Sequence, residues 1–490
     1  MNEINQRGRV SIVAIVLVIA VSAFLPFAFM GWKDLYESFL EANPPEIHLE
    51  SPPRGIGITP VHLKIQLTDL QSGLDEVVVR ARQRNSAREI DRQSLKGVRE
   101  AVITLEFPAE QSGFEEGKLH LEIRAFDRSL WSNRGEANFD FTVDYRKPLV
   151  EMLSTQHNSR VGGSQIAFYR AVDENLAISG VRVGNRVFQG YPARLFDTDF
   201  EDESLFVVVY AIPLEFVGNA NIPVKVFAED SVGNPRSEDF YNKIKDRQLL
   251  RRKVVMAPSF LRGTVRQLGE AYIPTLQKEL AELGEELELK TRSGSPERRL
   301  EEFQILNSSQ RNSDLEKLLP KMKESRFQRY WQQSFLPQAG VLRYGFGEEL
   351  VYFNEDRAIA THVQDGYELK ARSDDEEVVA ANSGVVFFSQ QLGARGFTVG
   401  IDHGLGISSV YSHLESVTAS VGETVEIGDV IGVMGRTGMI ESRGAGFQVF
   451  VLGVAVDPGE WLSKSWFYDH VTQKSREVKR VLGITTLNPF

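Results

Sequence analysis

The chain has 490 residues, of which 42% are hydrophobic and 25% are charged. This composition is typical of folded protein with sizeable cores, and the length suits about three or four domains. The net charge of −11 argues against a nucleic-acid partner, and the absence of cysteine excludes disulfides and thiolate metal sites.

An uncharged apolar run occupies residues 10–32 near the N-terminus. A helix of this length crosses about 30 Å of hydrocarbon. Arg7 and Arg9 precede the run, so the positive-inside rule places residues 1–9 in the cytoplasm. We therefore expect a single-pass anchor in the inner (cytoplasmic) membrane, with the bulk of the chain on the periplasmic or extracytoplasmic side. The alternative is a secretory signal that is cleaved near Val21-Ser22-Ala23.

Two sets of alternating apolar and polar residues follow, and both predict β-strands. The first set, residues 45–146, includes "VHLKIQL" and "LHLEIRAF"; the second, residues 147–243, includes "SQIAFYRAVD" and "IPVKVFAED". Both resemble bacterial immunoglobulin-like modules, which implies two β-sandwiches. Neither set contains a cluster of catalytic residue types, so we interpret them as spacers or docking surfaces.

Residues 244–335 change to apolar spacings of three and four, which predict helices. We interpret this segment as a helical linker or regulatory arm beside the domain that follows. That domain is expected at residues 336–470, where glycines interrupt short β runs and indicate tight turns in an antiparallel β domain. Residues 471–490 are expected to be a C-terminal tail.

The domain at 336–470 resembles the lysostaphin/LytM-type zinc peptidases, which cleave peptide cross-links in bacterial cell walls. Such domains have a fold of antiparallel strands built on a duplicated hybrid motif. The residues that carry the resemblance are Ala380-Ala381-Asn382-Ser383-Gly384, Ile401-Asp402-His403-Gly404, Tyr411-Ser412-His413-Leu414, the glycine ladder from Val421 to Gly438, and Val456-Asp457-Pro458.

The resemblance implies a zinc site with three protein ligands and one position for water. In the family, the ligands are the His and Asp of His-x-Gly-x-Asp and the second His of His-x-His. His362 matches the first ligand. His413 matches the catalytic histidine of Tyr-x-His-Leu, and Tyr411, two residues earlier, is expected on the same face of the strand, in the cleft.

The remaining ligand positions depart from the family pattern. Gly366 stands four residues after His362, which leaves Asp365 or Glu368 as the oxygen ligand. Gln448 stands at the third ligand, and Gly446 stands at the first histidine of the His-x-His pair. A neutral amide is a weak metal ligand and glycine has no side chain. We therefore expect a degenerate peptidase domain with no catalytic zinc and no other cofactor.

The sequence accordingly favours a membrane-anchored envelope protein that regulates or binds in peptidoglycan remodelling or cell division. Its expected partner is peptidoglycan or an amidase-type peptidoglycan hydrolase, because family members without zinc ligands activate such enzymes. One alternative is an active zinc metalloendopeptidase with an altered site, formed by His362, Asp365 or Glu368, and Gln448, with His413 assisting. Another is a purely structural spacer whose β modules are the functional surface.

Overall fold

The computed structural model describes residues 41–107, 113–219 and 221–485. Most of its regular elements are strands, which confirms the prediction of a mainly β chain with few helices. The predicted membrane anchor, residues 10–32, lies outside the described residues. Within the described part of the chain, no helix is long and apolar enough to cross a membrane.

The chain divides into two compact units. The first comprises Met1–Lys147 and Glu229–Pro235, and the second comprises Pro148–Ala228 and Arg236–Phe490.

The first unit is a two-sheet β-sandwich. Its strands are β1 Glu46–Glu50, β2 Gly55–Ile56, β3 Val61–Thr68, β4 Leu74–Gln83, β5 Ser86–Val98, β6 Glu100–Phe107, β7 Gly117–Asp127 and β8 Arg134–Val143. They pair in the orders β1-β3-β6 and β2-β8-β7-β4-β5. In β7, Leu119, Leu121, Ile123 and Ala125 are fully buried. Their period of two places every second side chain in the core between the sheets.

The second unit begins with another sandwich. Its strands are β9 Leu149–Met152, β10 His157–Arg160, β11 Ser164–Val172, β12 Leu176–Val183, β13 Arg186–Gln189, β14 Tyr191–Pro192, β15 Leu205–Ala211, β16 Val224–Asp230, β17 Pro235–Asp239 and β18 Asn242–Lys245. Two four-stranded sheets have the orders β14-β15-β11-β9 and β13-β12-β16-β17, and β10 pairs with β18. That both sandwiches are immunoglobulin-like stays a prediction.

The segment expected to be helical contains helices and also one strand. Its elements are β19 Leu250–Val255, α1 Pro258–Phe260, α2 Arg266–Glu282, α3 Pro296–Ile305 and α4 Arg311–Lys323. β19 pairs in parallel with a strand of the following domain, Glu348–Asn354. Ser295 caps α3 by accepting a hydrogen bond from the amide of Arg298, and Pro296 occupies the first helical position, where no amide donor is needed.

The C-terminal part is the predicted antiparallel β domain. Its elements are β20 Val341–Tyr344, β21 Glu348–Asn354, β22 Arg357–Val363, β23 Tyr367–Lys370, β24 Glu377–Val379, β25 Gly384–Leu392, β26 Gly396–Gly404, β27 Ile407–Val417, β28 Thr424–Val425, β29 Val430–Met434, β30 Gly444–Val451, β31 Val454–Val456, α5 Pro458–Leu462, α6 Lys464–Phe467 and α7 Gln473–Val481. The main sheet has the order β20-β23-β30-β27-β26-β25-β28, whereas β21 and β22 form a separate sheet with β19.

The second sandwich and the C-terminal domain share one hydrophobic core, although the sequence indicated separate domains at 147–243 and 336–470. Trp331, which is fully buried, contacts Phe196 of the sandwich and Trp461 of the C-terminal domain. The predicted tail contributes α7, whose buried Lys474 donates to the Ile166 carbonyl at 2.8 Å. Sandwich, domain and tail helix therefore belong to one packed unit.

A buried carboxyl at this junction predicts a pH-dependent stability. Glu460 accepts hydrogen bonds from the Ser164 amide at 2.7 Å and hydroxyl at 3.2 Å. Burial raises its pKa from 4.5 to about 7. Because the folded state holds this proton more tightly than the unfolded chain, the stabilisation is complete below pH 4.5 and is lost as pH rises through about 7.

Glu460→Gln should remove this dependence, since glutamine keeps an acceptor oxygen but does not titrate. We expect the wild-type chain to lose about 2 kcal/mol relative to the variant across this pH range. Urea unfolding of both proteins at a series of pH values measures the difference. Parallel pH profiles for the two proteins would contradict the assignment.

Candidate functional site

The predicted site lies where three neighbouring strands of the main sheet meet. β30 lies between β23 and β27, and Gly446 pairs with Glu368 on one side and Ser412 on the other. Gln448 pairs with Val410 on β27. Paired residues of adjacent strands lie opposite each other, so the register brings Glu368, Gly446 and Ser412 into one row across the sheet.

Gln448 belongs to a closed polar network with Arg395 and Asp365. Its amide nitrogen donates to Asp365 Oδ1 at 2.5 Å, and its amide oxygen accepts a hydrogen bond from the Arg395 guanidinium. Arg395 also lies 3.5 Å from Asp365 Oδ2. Burial raises the pKa of Asp365, but the charges of Arg395 and Arg311 and the hydrogen bond from Gln448 are among the effects that together outweigh burial, and the net pKa is below its usual range. The carboxylate at this position is thus paired with a cation of the protein itself.

The turn Gly393–Arg395 places Arg395, which no sequence motif predicts, in the cleft. Asp314 of α4 holds this turn, because its carboxylate accepts from the Ala394 amide at 2.8 Å and the Arg395 amide at 3.3 Å. Arg311, at the start of α4, also lines the cleft. The local sequence around Arg395 contains no motif, since its role depends on contacts with residues far away in the chain.

His413 lies in the cleft with its tautomer fixed. Its Nδ1 lies 3.0 Å from the Thr437 carbonyl oxygen, which only accepts, so Nδ1 carries the proton and Nε2 a lone pair. Burial, and next the charge of Arg311, lowers the pKa of His413 to about 3. The imidazole is therefore neutral at physiological pH.

His413 and Tyr411 were predicted to lie on the same face of the strand, but the structure places their side chains in different surroundings. Tyr411 is fully buried in the core, packs against Phe447, and its hydroxyl accepts from the Ala381 amide at 2.8 Å. His413 has a φ of 65°, and this left-handed conformation interrupts the alternation of β27. Tyr411 is thus a core residue, and His413 lines the cleft together with Ser412.

His362 lies on β22, in the smaller sheet. Its Nε2 is buried and makes no hydrogen bond within the described part of the chain. The pKa of His362 is lowered to about 3; burial is the largest cause, and the charge of Arg311 is the second. Like His413, it is a neutral imidazole beside a guanidinium.

The Glu368 carboxylate is paired with an arginine of the protein. Its carboxylate accepts a hydrogen bond from Arg343 at 3.2 Å, and Arg343 also contacts Glu441 at 2.5 Å. Burial raises the pKa of Glu368, and Arg343 opposes that effect. Glu368 is therefore part of an ion-pair group with Arg343 and Glu441.

Gly366 and Gly446 stand at close approaches in the sheet. A Cβ at Gly366 would lie 2.6 Å from the Phe447 carbonyl oxygen, so an aspartate ligand at this position does not fit the backbone. A Cβ at Gly446 would collide with the Ser412 hydroxyl. The departure at 366 is thus built into the backbone packing of the sheet, whereas at 446 a Cβ meets only a side-chain hydroxyl that can rotate away.

The donors present do not fit a zinc ion. A catalytic zinc site needs three converging donors. Among the described residues, no group of three His, Asp or Glu side chains with ligand atoms within 4.8 Å of one another is found between 362 and 458; such a group, Glu41, Asp69 and Asp127, occurs in the first unit. In the cleft, Arg395 pairs with the one carboxylate beside Gln448, and Arg311 adds a second positive charge.

The helical segment lies beside this cleft. Gln304 donates to the Ile359 carbonyl at 2.7 Å and Asn307 to the Thr361 carbonyl at 3.1 Å, both on the strand that carries His362. With Arg311 also in place, the cleft encloses only about 20 Å³. That volume holds about one water molecule.

Comparisons with known proteins bear on the C-terminal domain. Residues 362–458 match the model of Peptidase family M23. Over 132 residues, the chain is 29% identical to the murein hydrolase activator EnvC of Escherichia coli (strain K12), a match that covers 27% of this chain and 29% of EnvC. The chain therefore spans less than a third of the length of that relative.

Solved structures of the same family are also similar. A putative peptidase M23 from Pseudomonas aeruginosa is 17% identical, and the match covers 64% of this chain and 97% of that chain with a TM-score of 0.36. The catalytic domain of lysostaphin from Staphylococcus simulans is 20% identical, with 29% and 96% covered and a TM-score of 0.20. The family match shows that the C-terminal part of this chain is a Peptidase family M23 domain of the LytM/lysostaphin type.

Proposed function

We propose that this protein is a non-catalytic, membrane-anchored regulator of peptidoglycan remodelling. The observation that carries the proposal is the Arg395–Gln448–Asp365 network, because it places a guanidinium where the family's metal site requires free donors. A permanent cation next to the remaining carboxylate disfavours binding of Zn²⁺ by direct repulsion. The domain keeps its fold while its site has been converted to a protein ion pair.

Zinc content is the first measurement. We expect the purified chain to lose zinc on dialysis. The single variant Gln448→His should also lose it, because Arg395 is still paired with Asp365. Combining Gln448→His with Arg395→Met frees the carboxylate and should raise zinc affinity by about 10–100-fold over Gln448→His. Stoichiometric zinc in the dialysed wild-type chain, with wall digestion abolished by a chelator, would instead establish the zinc endopeptidase.

The partner proposed for the M23 domain is an amidase-type peptidoglycan hydrolase. The similarity to EnvC, whose name describes it as a murein hydrolase activator, supports this choice. We expect no release of dye from labelled peptidoglycan by the chain alone, and faster release when it is added to such an amidase. An unchanged amidase rate, together with no binding of the chain to peptidoglycan, would exclude the proposal.

The helices α3 and α4 are proposed as a regulatory arm that must move before the cleft admits a partner. The side-chain bonds to β22 from Gln304 in α3 and from Asn307 in the turn between α3 and α4 contribute about 1 kcal/mol each. Gln304→Ala combined with Asn307→Ala should therefore allow activation at a roughly 30-fold lower concentration of this protein. The readout is amidase activity against concentration of the variant.

A matched control is Ser308→Ala in the same segment. Its hydroxyl donates to the Gln304 carbonyl at 2.7 Å, within the arm, and so does not tie the arm to the cleft. We expect Ser308→Ala to behave as wild type. If the double variant also behaves as wild type, the arm does not restrict the site.

A further inference from the structure

One end of the first unit exposes large apolar side chains on two loops. The loop between β3 and β4 carries Leu70, and the loop between β7 and β8 carries Leu130 and Trp131. These side chains are 61%, 68% and 65% exposed, respectively. Single exposed apolar residues are common, but three on neighbouring loop tips form a surface that favours a non-aqueous environment.

Hydrogen bonds show that the two loops are adjacent. Leu74, at the start of β4, pairs with Asp127, at the end of β7. The Arg128 amide donates to the Gly73 carbonyl at 2.9 Å. The apolar tips therefore project from the same end of the sandwich.

The loop bearing Trp131 is held in shape by its own polar contacts. Asp127 Oδ1 accepts from the Ser129 amide at 3.1 Å and from the Asn133 amide at 2.8 Å. The Asn133 side chain donates to Asp127 Oδ2 at 2.8 Å. Leu130 and Trp131 are thus presented on a closed turn, which limits the conformational entropy lost on binding.

The chain enters the first unit at this same end. The Glu41 carboxylate accepts from the Ser72 amide at 2.6 Å, and the Glu41 carbonyl accepts from the Asn133 side chain at 2.8 Å. Residue 41 is thus fixed between the two loops. The predicted membrane span ends at residue 32, and nine residues of chain reach at most about 30 Å. Residue 41, which lies between the two loops, is therefore tethered within about 30 Å of the proposed bilayer surface.

We propose that Leu70, Leu130 and Trp131 insert into the interfacial layer of the bilayer that anchors the chain. This inference rests on the proposed membrane anchor. Tryptophan prefers the membrane–water interface, where its ring is apolar and its N–H meets water. The contact would hold the first unit against the membrane rather than leave it free on a tether.

Charges at this end are mixed, so the apolar tips dominate the contact. Lys96, Arg99 and Arg128 are exposed here and favour anionic headgroups, whereas Asp75 and Glu100 are exposed nearby and oppose them. We therefore choose vesicles of phosphatidylethanolamine and phosphatidylglycerol, which offer both an interface and anionic lipid.

The test uses the full chain. Because this chain contains no cysteine, a single introduced cysteine can be labelled specifically. Leu130→Cys carries an environment-sensitive fluorophore at the apolar tip. Asn85→Cys is the matched control, an exposed position in the turn after β4, at the opposite end of that strand. With the chain reconstituted, we expect the label at 130 to shift to shorter wavelength and to be quenched by lipids carrying a quencher near the headgroups. The label at 85 should remain in water.

Three other outcomes overturn the proposal in distinguishable ways. If the chain resists carbonate extraction but both labels stay in water, the anchor stands and the loop contact is wrong. If carbonate extracts the chain from the vesicles, the anchor itself is wrong and the contact loses its basis. Quenching of both labels to the same extent would show a contact that does not select this end.

Discussion

Replacing Arg395 with Ala is expected to lower the free energy of unfolding of the second unit by about 3 kcal/mol. Arg395 is 8% exposed and pairs with the Asp365 carboxylate and the Gln448 amide oxygen. Without the guanidinium, the Gln448 amide oxygen loses its donor, and the Asp365 carboxylate loses its cation and keeps the hydrogen bond from the Gln448 amide nitrogen. Breaking a buried pair by removing one partner typically costs about 3 to 5 kcal/mol. The Asp365 side chain is 27% exposed, so hydration offsets part of the loss and favours the lower value.

The measurement is the urea midpoint followed by tryptophan fluorescence, with Arg194→Ala as control. Arg194 lies in the same unit and pairs with Glu203 at 3.3 Å, but both side chains are mostly exposed. Exposed ion pairs contribute about 0–1 kcal/mol, so the control should unfold almost as wild type. Equal midpoints for Arg395→Ala and Arg194→Ala would show that the network does not stabilise the cleft.

Replacing Trp331 with Ala is expected to have a still larger effect, about 3 to 5 kcal/mol. The indole is fully buried, and its ring centre lies 5.4 Å from Trp461, 5.8 Å from Phe196 and 6.0 Å from Phe467, each in an edge-to-face arrangement. Truncation removes these contacts and leaves a cavity that the rigid aromatic neighbours cannot fill. Since Trp331 joins the sandwich to the C-terminal domain, both should unfold at a lower urea concentration.

Phe327→Ala is the matched control for this variant. Phe327 lies four residues earlier, is 56% exposed and contacts Tyr191 with ring centres 5.1 Å apart. Substitutions at such surface positions usually change stability by about 0.5 kcal/mol. Amide hydrogen exchange, measured separately for β11 of the sandwich and β30 of the C-terminal domain, reports on the stability of each of these two parts. A Trp331→Ala chain in which only one of them loses protection would show that they do not form one cooperative unit.

Much of the fold follows from local pattern. The alternation in "LHLEIRAF" predicts β7, and the apolar residues at its odd positions, Leu119 to Ala125, are the buried ones. The glycine-punctuated segment after Val378 predicts the antiparallel domain, which the family match confirms. β19 was not foreseen, because "LRRKVV" has too few apolar residues for a period to be visible; pairing with β21 extends it. Backbone pairing to a distant strand is a tertiary effect that overrides local propensity.

Prediction of the site from sequence was limited in the same way, because local pattern contains no information about tertiary contacts. The motif positions Gly446, Gln448 and His413 were found from sequence, and the structure places all three in one cleft. Tyr411 was misplaced because a period of two assumes an unbroken strand, and His413 interrupts it with a positive φ. Whether a residue adopts that conformation depends on the surrounding packing rather than on residue type alone.

The amino-acid sequence alone shows which chemical groups are missing, because glycine and glutamine at 446 and 448 provide no imidazole in any fold. It also determined the mainly β architecture, since side-chain alternation is a local property. The groups that replace them are visible only in the folded chain. Arg395 and Arg311 reach the cleft from a turn and a helix far away in sequence, and Asp314 positions the turn. Charge compensation acts through space, so a cation that pairs with Asp365 leaves no signal in the residues next to it along the chain.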